Sequence, residues 1–113
     1  MICRIWHGWT TLENAGTYEA YLTLELFPRI EHELKDYGYC GYHLLKLKGE
    51  AAVEFVTMVW FDSLEAVRFF AGEAYEKPVI SPKAEALLSH YAERCDHYDL
   101  ASFQWPWPGL DAT

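Results

Sequence analysis

Basic residues are few in this chain. Nine Lys and Arg stand against 17 Asp and Glu, giving a formal charge of −8 over 113 residues. A surface that grips nucleic acid or an anionic membrane needs Lys and Arg gathered on one face, and here they are scattered, so neither partner is expected. Cysteine is equally scarce. Cys3, Cys40 and Cys95 are odd in number, widely spaced and without a CxxC pair. That pattern excludes a disulfide or zinc framework and reads as reduced, structural thiols in a cytoplasmic protein. No hydrophobic run reaches the roughly 20 residues of a membrane span, and MICRIWHGW leads into strand-like sequence instead of a signal peptide. There is no internal repeat and no interdomain linker. The histidines form no HxH or HxxE pair, so no metal is expected, although His7, His43 and His97 fall on three different expected strands.

Aromatic residues, by contrast, are abundant. They make up 17% of the chain, and 51% of it is hydrophobic. One domain of this length has a modest core, so part of that load points to an interface or a ligand pocket.

The most informative stretch is Val53 to Gly72. Val53, Phe55, Val56, Val59, Trp60 and Phe61 form a near-continuous β-forming run, as in a central strand covered on both faces. Asp62 and Glu65 have capping-box spacing, Leu64, Val67, Phe70 and Ala71 recur at helical steps, and Gly72 closes the helix. Before this unit, Ile2 to Trp9 reads as a first strand, with Cys3, Ile5, His7 and Trp9 on one face and Arg4 and Trp6 on the other. Thr10 with Glu13 repeats the capping-box spacing. A long helix follows on the stripe Ala15, Tyr18, Leu22, Leu26, Ile30 and Leu34, with a kink or break expected at Pro28 and an end at Asp36-Tyr37-Gly38. Tyr39 to Leu47 is a second strand, hairpinned to the central one near Gly49 and Glu50. Ser81 and Pro82 open a short helix reaching Leu87, Leu88 or Tyr91, and Ala92 to Leu100 alternates as a fourth strand.

The order strand, helix, strand, strand, helices, strand predicts an α+β fold: a ferredoxin-like βαββαβ sandwich, one four-stranded antiparallel sheet in order 4-1-3-2 with helices on one face. Residues 1–101 make the domain, and 102–113 form a tail rich in Pro and Trp, expected to be ordered through Trp107. Parity assigns Arg4, Trp6, Phe55, Thr57 and Val59 to the bare sheet face, and a second copy packed sheet on sheet is the expected cover.

ICRIWHGWTT, EFVTMVWFDSLEAVRFFAG and CDHYDL together resemble the antibiotic biosynthesis monooxygenase-like family of dimeric α+β barrels, over roughly residues 1 to 100. The resemblance implies a homodimer closed into a barrel, with a pocket between sheet and helices in each protomer. It also implies either cofactor-independent oxygenation of an aromatic substrate or, in other members, haem degradation. The first-strand asparagine and the tryptophan of the haem-degrading members fall at His7 and Trp60. Their axial histidine has no counterpart in FFAGEAYEKPVI, so no haem and no other cofactor is expected.

The expected site combines His7 and Trp60 on the helix-covered side, with Trp9, Tyr18, Leu22 and Phe70 around them. A neutral imidazole in an apolar pocket suits a general base, and an indole suits a wall for a flat apolar ligand. Arg4 is expected to pair with Glu54, Asp96 or Glu93 across the sheet, an acidic ligand being the alternative. The functional expectation is a small protein binding an aromatic or apolar metabolite, with or without oxygenase activity. A non-catalytic carrier and a cyclase or isomerase using His7 are the alternatives.

Overall fold

The computed structural model describes residues 1–104. Strand β1 (Ile2–Thr11) is followed by helix α1 (Ala15–Tyr21), a π-helical turn (Leu22–Leu26) and helix α2 (Phe27–Leu34). The hairpin β2 (Tyr39–Lys48) and β3 (Ala52–Phe61) comes next, then α3 (Leu64–Ala71), α4 (Pro82–Leu87), β4 (Leu88–Tyr91) and β5 (Asp96–Asp99). The sheet is open and antiparallel in the order β2-β3-β1, with both β4 and β5 on the outer edge of β1. This α+β arrangement is consistent with the ferredoxin-like fold. Of the expected fourth strand, Ala92 to Leu100, only β5 forms; β4 lies in line before it, where the short helix was expected to run on past Leu87. Ala92 to Cys95 separates the two, and the Ala92 N–H still donates to the His7 carbonyl at 2.9 Å.

Several local expectations change. Thr10 caps no helix: β1 runs through it, paired with Val53 and Leu88, and α1 starts only at Ala15. Ser63, not Asp62, caps α3, its hydroxyl accepting from the Ala66 N–H at 3.1 Å. The effect of Pro28 is spread over the turn before it. Proline has no N–H for the carbonyl four residues back, and the wider π turn at Leu22–Leu26 carries the helical path past it without a break. Ser81 caps α4 and Pro82 takes its first turn, as their order predicts.

The core lies between the sheet and the helices. Phe61 and Val67 are completely buried, and Tyr18 meets Phe55 edge-on with ring centroids 5.0 Å apart. Gly38 locks the chain entering β2 against α3. Its φ is +94°, and a Cβ there would come within 2.5 Å of Ala66 Cβ and Asp62 Oδ1. Only glycine suits that position. The expected order of the tail through Trp107 concerns residues outside the described range; Phe103, within it, is 76% exposed.

The main correction concerns sheet parity. Arg4, Trp6, Thr57 and Val59 face the helices, where they meet Tyr18, Leu22 and Phe70. Ile5, His7, Trp9, Val56, Met58 and Trp60 alternate with them and lie on the open face. This is the reverse of the expected assignment, a one-residue phase error that moves every side chain to the other face.

Candidate functional site

A cavity of about 70 Å³ separates sheet from helices. Strand β1 supplies Arg4 and Trp6, and β3 supplies Thr57 and Val59. Tyr18, Leu22 and Phe27 line it from the long helical segment, Phe70 from α3, and residues 78–81 and Ala84 complete it. The space takes roughly five to seven water centres, at 10–15 Å³ each. Its wall is mostly aliphatic and aromatic, which suits an apolar guest.

Of the expected site residues, Tyr18, Leu22 and Phe70 are brought together here. His7, Trp9 and Trp60 are not; they sit on the open face of the sheet. There His7 Nδ1 lies 2.8 Å from Glu54 Oε2, and the imidazole stacks against Trp9. Trp9 in turn stacks on His90 of β4, with ring centroids 4.4 Å apart. Trp60 donates its indole N–H to His43 Nδ1 at 2.9 Å.

Four residues of the cavity, Arg4, Trp6, Thr57 and Val59, were assigned to the wrong face in sequence. Trp6 is anchored by its indole N–H, which donates to the Ala92 carbonyl at 2.7 Å. Arg4 is 5% exposed and pairs with no carboxylate among the described residues, contrary to expectation. Its Nη1 donates to the Tyr75 carbonyl and to His97 Nε2, the latter at 3.1 Å, and its Nη2 donates to the Lys77 carbonyl at 3.0 Å. The guanidinium also lies over the Phe70 ring, 5.6 Å from its centroid. An arginine only donates, so His97 accepts through Nε2 and is neutral in this contact. Burial, then the charge of Arg4, lowers the His97 pKa from its ordinary 6.5. His97 and His7 therefore lie on opposite faces of the sheet.

The remaining polar groups at the cavity are neutral. Burial, with Tyr21 adding to it, pushes the Tyr18 hydroxyl up to about 12. Burial also raises the Cys95 thiol, against the opposing pull of Arg4. Burial lowers the pKa of Arg4 itself. One sequence signal does distinguish the two faces. Gly8 shares the face of Arg4 and Trp6, and a Cβ there would meet Leu88 Cδ2 at 3.0 Å. A strand glycine among large residues marks close coverage.

Among the described residues no helix is long and apolar enough to cross a membrane, and no group of three or more His, Cys, Asp or Glu is placed to hold a metal ion. No protein-family model matches the chain, and no curated protein matches it.

Proposed function

We propose that the chain is a small-molecule-binding protein of the antibiotic biosynthesis monooxygenase-like kind, and that its ligand occupies the cavity between sheet and helices. The observation that carries this reading is a mostly apolar cavity between the sheet and the helices, walled by Trp6, Leu22, Val59 and Phe70. The open sheet face supports the homodimer. Leu45, Leu47 and Tyr98 are 52%, 68% and 56% exposed there, and Ile5, Val56 and Met58 lie between them. Such a face calls for a cover, and a second sheet has the matching shape.

The His7–Glu54 pair supports a second, catalytic reading. A carboxylate that orients an imidazole is a general-base arrangement, usable for oxygenation, cyclisation or isomerisation. Its place is the open face, so the reacting molecule would lie between the two sheets of a dimer. The binding reading is tested by calorimetric titration with indole. One site per protomer is expected in the native protein, and none in Val59→Phe, which fills the space. Equal binding by both proteins would move the site elsewhere.

A further inference from the structure

Resting on the cavity reading, we infer that the ligand is an acid: a short apolar body carrying one carboxylate, received by Arg4. A buried cation is costly unless a charge of opposite sign faces it. Arg4 is 5% exposed and has no carboxylate partner among the described residues. Its partners are two carbonyl oxygens and one imidazole nitrogen. Cys95 is kept protonated by burial and supplies no negative charge.

The donor count points the same way. A guanidinium has five N–H groups, and the three contacts use both of those on Nη1 and one of those on Nη2. The N–H on Nε and the second on Nη2 have no partner among the described residues. These two nitrogens are neighbours, and a carboxylate can bind such a pair through two parallel hydrogen bonds. Tyr18 is a second polar group without a partner. It is 1% exposed, lines the same cavity, and its hydroxyl makes no hydrogen bond among the described residues. A neutral phenol is a donor for a carboxylate oxygen. The rest of the wall, including Trp6, Leu22, Val59 and Phe70, suits a hydrocarbon or aromatic body. The net charge of −8 repels anions in general. Selective uptake of an acid therefore reports on Arg4 and not on the surface.

Benzoate and benzamide have the same shape and differ in charge, which makes them suitable probes. Calorimetric titration of the whole chain should show benzoate binding at least about tenfold tighter than benzamide, the equivalent of a charge-assisted hydrogen bond. Arg4→Gln should remove that preference. Tyr18→Phe, which keeps the ring and the fold, should reduce it several-fold. In the unmodified protein, benzoate and not benzamide should shift the Arg4 Nε–H resonance, a readout that stands even if Arg4→Gln does not fold. Benzamide binding as tightly as benzoate, or an unmoved Nε–H resonance, overturns the acid assignment and leaves the apolar cavity standing. Failure of both probes to bind overturns the acid assignment and the cavity reading together.

Discussion

Thr10→Val should stabilise this protein, although Thr10 has the sequence context of a helix cap. Its side chain is completely buried, and its hydroxyl Oγ1 has no hydrogen-bond partner among the described residues. An unsatisfied buried hydroxyl carries its desolvation cost, about 1–3 kcal/mol, with nothing to offset it. Valine replaces the hydroxyl with a methyl of nearly the same volume in a strand flanked by Val53 and Leu88, where a β-branched residue is favoured. The gain should be about 1–2 kcal/mol, read as a rise of roughly 4–8 °C in Tm by circular dichroism and as a higher urea midpoint at unchanged slope. A cap would give the opposite sign, since replacing a capping threonine costs about 1 kcal/mol. Thr11 is the control. Its Oγ1 accepts from the Asn14 N–H at 3.1 Å, so Thr11→Val should destabilise by about 0.5–1 kcal/mol. A Thr10→Val protein that melts lower than the parent refutes the strand assignment, or shows that a water satisfies the hydroxyl.

Gly38→Ala should cost more than about 2 kcal/mol, because it combines strain at positive φ with backbone displacement against α3; urea unfolding measures it, and a loss under 0.5 kcal/mol would contradict the geometry. His97 makes stability depend on pH. Its folded pKa lies below the ordinary 6.5, so the unfolded chain takes up the proton first. Stability is then full above pH 6.5 and declines as the pH falls below it. His97→Gln keeps an acceptor for Arg4 and should flatten that decline in a series of melts from pH 7.5 to 5. Met58→Asp puts a charge in the middle of the open sheet face and should convert a dimer to a folded monomer in light scattering; a native protein that is already monomeric at micromolar concentration would rule the sheet-on-sheet pairing out.

The elements were legible because their signals are local. The β-forming run of β3, the helical stripe through Tyr18, Leu22 and Ile30, and the Ser81–Pro82 start of α4 each show in a short window. The facing of β1 and β3 was not legible in the same way. Both strands carry large apolar and aromatic residues at odd and even positions, so alternation alone does not say which face the helices cover. Parity put Arg4 on the uncovered side, whereas two backbone carbonyls and His97 hold its charge under the helices. The candidate site was half legible for this reason. Tyr18, Leu22 and Phe70 were placed by helical periodicity, which helix packing respects, whereas His7, Trp9 and Trp60 depended on the strand phase. The break between β4 and β5 was also hidden. It depends on Trp6 holding the Ala92 carbonyl and on the Cys95 N–H reaching the Glu76 carbonyl at 2.7 Å, contacts between residues far apart in sequence.

The central claim is that the ligand sits under the helices and not on the open sheet. Amide chemical shifts of the uniformly labelled protein, followed as indole is added, report on both places in one titration. The account predicts saturable shifts concentrated at Tyr18 to Phe27, Thr57 to Val59 and Val79 to Ala84, with the amides of Ile5, His7 and Trp60 moving least. Shifts centred on His7, Trp9 and Trp60 would contradict it, and so would the absence of any saturable shift.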